Sequence, residues 1–256
     1  LPFALHFAMI AAQQQGRERA MPGEAMIDAV IFDKDGTLFD FRASWGAWTE
    51  ALIARLAGFG ADPAGLERVL GYDRRYRVFH PDSAVIAHTT LEIAALLHPE
   101  VPGLGLEELT ALMERLAAEA PMAPAVPLRL VLQGLRDRGL RLGLATNDTE
   151  EPARAHLDGA GVLDLFDFVA GCDSGWGGKP APGQLLAFAE AVGVAPDRAA
   201  MVGDSLHDMA AGRAAGMATV AVLTGIAGRD DLAPAADVVL ADISALGAWI
   251  DARRAI

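Results

Sequence analysis

The chain is almost without cysteine, short of basic side chains and free of long apolar runs. Cys172 is its single cysteine in 256 residues, which excludes an internal disulfide and any cysteine-rich zinc or iron–sulfur site. Lysine and arginine number 21 against 34 aspartates and glutamates, a formal charge of −13 with neutral histidines. Such a surface repels nucleic-acid backbones and anionic membranes, so neither is an expected partner. A small anionic substrate stays compatible with it, because a metal ion and a few basic side chains invert the field locally. No stretch reaches the roughly 20 apolar residues that a bilayer-spanning helix needs. The opening LPFALHFAMIAAQQQ lacks a basic leader region and a persuasive cleavage motif. Residues 1–26 are therefore read as an extension of a cytoplasmic protein. No internal repeat or low-complexity tract is visible.

What is present is apolar material, 52% of the residues, ample for a buried core and inconsistent with disorder. IDAVIFD, from Ile27, is a run of β-formers that ends in a polar cluster containing Gly36, the pattern of a buried strand and a functional turn. A helical block follows. SWGAWTEALIARLAGFG puts Trp45, Trp48, Leu52 and Leu56 on one stripe, while DSAVIAHTTLEIAALLH and LEELTALMERLAAEA supply two more helices, the former capped by Asp82 or Ser83. The block contains no convincing strand. At PMAPAVP the proline density marks a linker. Beyond it, apolar strands (RLGLATN, FDFVAG, AAMVGD, MATVAVL, ADVVLAD) alternate with single helices. That alternation predicts an α/β fold, a parallel Rossmann-like sheet with helices on both faces. The block after the first strand is expected as an inserted all-helical cap, residues 43–121, over a core of 27–42 and 122–256. A cap so placed covers the carboxyl edge of the sheet, where open α/β sheets carry their sites.

Chemistry-bearing residues gather at the strand ends. Asp33 closes the first strand and Asp35 follows two residues later, with Gly36 permitting the reversal. Two acids this close raise one pKa or recruit a cation, and suit a nucleophile beside a general acid/base; a metal-free turn bonded to backbone amides is the plainer alternative. Asp204 ends AAMVGD and Asp208 lies one helical turn on, placed to ligate a cation and to orient a water or a lysine; Asp204 as a helix N-cap is the competing account. If the strand ends converge, that carboxylate density needs a hard cation, magnesium rather than zinc for an oxygen-only set. Thr146 and Asn147 could hold a phosphoryl oxygen, or serve ordinary loop capping. Lys179, pinned by Pro180 after several glycines, could neutralise a phosphate and a nucleophile, or be surface charge.

Taken in order, DKDGTL, the Thr-Asn strand end, the Lys-Pro segment and GDSLHD resemble the four motifs of the haloacid dehalogenase-like hydrolases, mostly phosphatases. The helical insert and GDSLHDMAAGRAAGM look closest to the phosphoglycolate phosphatase-like branch. The resemblance implies that Asp33 forms an aspartyl-phosphate and that Asp35 protonates the leaving oxygen and then activates water. It implies that Thr146 and Lys179 hold the phosphoryl group, with Asn147 in support. Mg²⁺ would be bound by Asp33, Asp204 and the Asp35 carbonyl, with Asp208 in a supporting place. The implied partner is a small phosphomonoester, phosphoglycolate being the one for which this branch is named. A phosphomutase of the β-phosphoglucomutase type and a non-catalytic binding protein on the same fold are the alternatives. Lys34 departs from the apolar or neutral residue common at its position, and is expected to be solvated or to tune access to the pocket.

Smaller expectations concern the remaining polar and aromatic residues. Arg42 is a candidate for gripping the leaving group. Tyr72, Arg74, Arg75 and Arg77 form a basic patch read chiefly as solvated surface. Cys172 is expected in the core, His207 at a surface or packing position, and Trp45 and Trp48 in the packing of the cap.

Overall fold

The computed structural model describes residues 26–80 and 83–254. β1 (Ala29–Phe32) reads AVIF and is buried throughout. A strand with no polar residue on either face must be covered on both, which places it inside a sheet between helical layers. It lies between β4 (Arg141–Ala145) and β6 (Ala199–Gly203), in a parallel sheet completed by β5 (Phe168–Ala170), β7 (Ala218–Val222) and β8 (Val238–Leu240), in the order β5-β4-β1-β6-β7-β8. Successive side chains alternate between the layers. Val30 and Phe32 pack with Leu132 and Leu135 of α6 (Leu128–Asp137), Leu157 of α7 (Glu150–Gly159) and Ile250 of α10 (Leu246–Arg254). Ala29 and Ile31 pack on the opposite side, with Leu185 and Phe188 of α8 (Gly183–Val192) and Ala211 of α9 (Leu206–Ala215). Each large side chain so buried contributes roughly 1.5–3 kcal/mol, which makes this double-sided sheet the main source of rigidity under the site. The sheet and its flanking helices match the expected α/β class.

Between β1 and β4 the chain makes the helical insertion. It holds α1 (Phe41–Ala57), α2 (Pro63–Leu70), α3 (Ala84–Ala87), α4 (Thr90–Leu97) and α5 (Leu106–Ala118). Their apolar faces form a core of their own from Trp48, Leu52, Leu56, Leu66, Leu97 and Met113, among others. Three details differ from expectation. DSAVIAHTTLEIAALLH is not one helix, because Thr89 is extended and forms a capping box with Glu92, which starts α4 afresh. α2 was not anticipated, although Asp62 and Pro63 supply its N-cap and first turn. A minimal antiparallel hairpin, β2 (Tyr72–Asp73) with β3 (Val78–Phe79), is the one strand pairing in the insertion among the described residues. Ser83 caps α3 as expected, through its hydroxyl and the Val85 amide; Asp82 and the opening extension up to residue 25 lie outside the described residues. Among the described residues no helix is long and apolar enough to cross a membrane.

Candidate active site

The site follows from strand register. Phe32 pairs with Leu144 on one side and Val202 on the other, so the next residues of three adjacent parallel strands emerge together at the carboxyl edge. Asp33 leaves β1 there, held by its amide to the Val202 carbonyl at 2.8 Å. Thr146 and Asp204 leave β4 and β6 one residue past the same level. Three side chains predicted from separate stretches of sequence are thereby neighbours.

Lys179 joins them. Its Nζ donates to Asp33 Oδ1 and to Asp208 Oδ1, each at 2.6 Å. Asn147 fixes the lysine's backbone from both sides: its Nδ2 donates to the Lys179 carbonyl at 2.9 Å, and its Oδ1 accepts from the Lys179 amide at 2.8 Å. The other oxygen of Asp208 accepts from the Ser205 amide (3.0 Å) and hydroxyl (2.6 Å). Ser205, rather than Asp204, is therefore the N-cap of α9, which leaves the Asp204 carboxylate free of the capping role considered for it. Thr146 is buried; Gln184 Nε2 donates to its carbonyl at 3.0 Å, and its hydroxyl accepts from the Asp148 amide at 3.1 Å.

Electrostatically the group is short of positive charge. Asp33, Asp204 and Asp208 each bring a carboxylate oxygen within 4.8 Å of the others. Burial pushes Asp33 up to about 7; Lys179 opposes this and Asp208 adds to it. Burial, then Asp33 and Asp208, push Asp204 well above the usual carboxylate range. Lys179 is pulled down by burial, but Asp208 and Asp33 outweigh this and hold its ammonium above the ordinary value. Three acids around one ammonium form an all-oxygen cluster capable of holding a divalent cation, with the hard character that magnesium requires. Both oxygens of Asp208 are already engaged, so its place is beside Lys179, whereas Asp33 and Asp204 face the deficit.

Two glycines wall in Asp204. A Cβ on Gly36, whose φ is +80°, would lie 2.3 Å from Asp204 Oδ2, and one on Gly225 only 1.7 Å from the same atom. Thr224 Oγ1 fixes the turn by donating to the Gly36 carbonyl at 2.6 Å. Gly225→Ala is expected to displace the carboxylate and weaken divalent-cation binding to the cluster, read in a Mg²⁺ titration, by at least ~10-fold, about one decade per 1.4 kcal/mol. Gly159→Ala, where an added Cβ meets open space, is the control and leaves the Mg²⁺ titration unchanged.

Above these residues lies a cavity of about 590 Å³. Asp33, Asp35, Thr146, Asn147, Lys179 and Asp204 line it from the sheet side, and Phe41, Trp45, Trp48, Val85, Ile86 and Ile93 from the insertion. Asp35 Oδ2 is 3.3 Å from Lys34 Nζ, while Asp35 Oδ1 is buried with no hydrogen-bond partner. Arg42 is exposed on α1 and does not line the cavity. Cys172 is half-buried against the cavity instead of in the core, and His207 is exposed at its edge. Trp45 and Trp48 pack edge to face at 5.2 Å, as expected of the cap, and also face the cavity. The basic patch is occupied with its own neighbours, Arg74 with Glu67 and Arg77 with Glu50.

Residues 27–216 match the haloacid dehalogenase-like hydrolases, over most of the chain. The chain belongs to that family. Phosphoglycolate phosphatase of Rhodospirillum rubrum is 35% identical over 237 residues, spanning 88% of this chain and 91% of the relative. The protein of the same name from Pseudomonas putida is 30% identical over 234 residues, spanning 90% and 82%. Among solved structures, CbbY from Rhodobacter sphaeroides in complex with phosphate superposes with a TM-score of 0.60 at 25% identity, covering 88% of this chain and all of that one, 100%.

In this haloacid dehalogenase-like hydrolase, several site residues escaped the sequence reading. Ser205, Thr224 and Gly225 hold Asp208, the Gly36 turn and Asp204. Only Ser205 carried a signal, the Ser-x-x-Asp capping box with Asp208. Lys34 overturned its expectation of a solvated side chain: it is fully buried, with partners at Asp35, Asp148 and His156.

Proposed function

We propose that the protein is a Mg²⁺-dependent phosphomonoester hydrolase of small phosphorylated molecules, working through an aspartyl-phosphate in the cytoplasm. The observation that carries this reading is the convergence of Asp33, Asp35, Thr146, Lys179 and Asp204 on one cavity. Asp33 attacks phosphorus as the bond to the leaving oxygen breaks, and Asp35 gives that oxygen its proton. Water then attacks the aspartyl-phosphate, Asp35 takes the water's proton, and phosphate leaves with Asp33 restored. Thr146 and Lys179 hold the phosphoryl oxygens, Asn147 keeps Lys179 in place, and Asp208 orients the ammonium. Asp33, Asp204 and the Asp35 carbonyl would hold Mg²⁺, which would compensate the negative charge on the transferring group. The names of the relatives support phosphoglycolate as the first substrate to try. In this reading residues 27–42 and 122–256 form the catalytic unit and 43–121 the cap that shuts it.

The test is phosphate release from a panel of small phosphomonoesters, phosphoglycolate and a phosphorylated sugar included. Isomerisation of the sugar phosphate without phosphate release would replace the hydrolase by a mutase. Asp35→Asn separates the acid from the rest. General acid catalysis is typically worth ~10² to 10⁴, and an alkyl alcohol needs it far more than p-nitrophenolate does. The pre-steady-state burst of alcohol from an alkyl phosphate is therefore expected to fall by at least ~10²-fold in Asp35→Asn, and that of p-nitrophenolate far less. Equal losses would withdraw the acid/base role from Asp35.

A further inference from the structure

Lys34 is a fully buried ammonium that the steps above do not use. A buried charge persists only where neighbours replace its water, and three groups do so. Lys34 Nζ donates to Asp148 Oδ2 at 2.6 Å, lies 3.3 Å from Asp35 Oδ2, and is 3.1 Å from His156 Nδ1. Those partners sit on the turn after β1, the loop after β4 and α7. Since an ammonium has no lone pair to offer, His156 Nδ1 must accept, and the ring proton is on Nε2. Nε2 lies 2.8 Å from the Ala117 carbonyl, which accepts it. Burial, then the charge of Lys34, hold His156 below its ordinary pKa, in the neutral state this arrangement needs.

Ala117 belongs to the last turn of α5, where helix carbonyls lack intrahelical donors four residues on. A continuous path therefore runs from Asp35 through Lys34 and His156 into the insertion. Trp45 of α1 adds to it, its ring centroid 5.6 Å from Lys34 Nζ. The path engages Asp35 through Oδ2 alone.

We propose that Lys34 is a positioning residue that holds Asp35 by Oδ2 and through His156 ties this placement to the seating of α5 over the site. The proposal rests on the acid/base reading of Asp35. With α5 lifted, the His156 Nε2–H loses its acceptor and Lys34 loses part of its cover, so the carboxylate is no longer confined to one orientation. Proton delivery is then confined to the closed state, from which bulk water is shut out.

Lys34→Met removes the cation and keeps an unbranched stem; His156→Phe cuts the link to α5 and keeps both ion pairs. Leaving-group bursts are measured with an alkyl phosphate and with p-nitrophenyl phosphate, alongside amide hydrogen exchange of residues 117–120. In Lys34→Met the alkyl burst is expected to fall ~10-fold or more and the p-nitrophenyl burst by less than ~3-fold. In His156→Phe the same bias appears, smaller, and the 117–120 amides exchange faster than in wild type. Equal losses for the two esters, no loss at all, or unchanged exchange in His156→Phe overturns the proposal while the phosphatase reading stands. If Lys34→Met does not fold, His156→Phe decides by the same two readouts. Wild-type protein that releases phosphate from neither ester overturns the phosphatase reading, and this proposal with it.

Discussion

Asp33→Asn is expected to leave a folded protein with turnover reduced ~10³-fold or more, because an amide does not attack phosphorus at a useful rate. The substitution is nearly isosteric, and the backbone bond from residue 33 to the Val202 carbonyl does not involve the side chain. Lys179 keeps Asp208 as its partner. The fold has a positive reason to tolerate the change. Burial and the neighbouring Asp208 make an ionised Asp33 costly in the metal-free protein, against the pull of Lys179, which is why its pKa lies near 7. A neutral side chain avoids that cost, so the melting temperature of metal-free Asp33→Asn at neutral pH is expected to equal or exceed that of wild type. Loss of activity without loss of stability separates a nucleophile from a structural aspartate. Retention of a tenth of the wild-type phosphate release would show that Asp33 is not the nucleophile.

Removal of divalent metal is expected to have a comparable effect. Chelation should abolish phosphate release, Mg²⁺ should restore it, and Ca²⁺ should restore it poorly, since the larger ion accepts looser geometry and misplaces the attacking oxygen. A ligand that binds only the folded state stabilises it by ~2.7 kcal/mol at about 100 times its dissociation constant, so Mg²⁺ should also raise the melting temperature. The pH dependence has a definite sign. In metal-free protein Asp33 keeps its proton up to about 7, whereas the unfolded chain releases it near 3.8. Between those limits the folded state binds more protons, so metal-free stability falls as pH rises through that window. Mg²⁺ competes with the proton for Asp33 and relieves the repulsion among Asp33, Asp204 and Asp208. The Mg²⁺-induced rise in melting temperature should thus be larger at about pH 7.5 than at about pH 5.5. Full activity in chelator, on protein shown to be metal-free, would remove the cation from the reaction. A rise in melting temperature that is larger at the lower pH would remove Asp33 from its binding.

The parts of this protein that could be read from sequence are those written in neighbouring residues. AVIF, LGLA and AAMVG are apolar on both sides of the strand, so each is legible as an interior strand from its own few residues. The polar ends of the same strands, Asp33, Thr146 and Asp204, were legible for the same reason. Their convergence followed from the single inference that the strands are parallel. The break between α3 and α4 was also within reach, in the Thr89–Glu92 capping box, but the apolar periodicity on either side of it masked the boundary.

What tertiary structure alone decided is who meets whom across long stretches of chain. Lys34 reads as a surface residue between two aspartates until Asp148 and His156, 114 and 122 positions away, close around it. Asn147 reads as a holder of a phosphoryl oxygen or an ordinary loop cap until it is found clamping Lys179 32 positions on. Arg42 reads as a substrate contact from its closeness to Asp33 in sequence, yet α1 turns it outward to solvent. Hydrophobic period and turn chemistry act over a few residues and leave a local trace. The cost of burying a charge depends instead on which distant groups replace its water, and no local pattern records that.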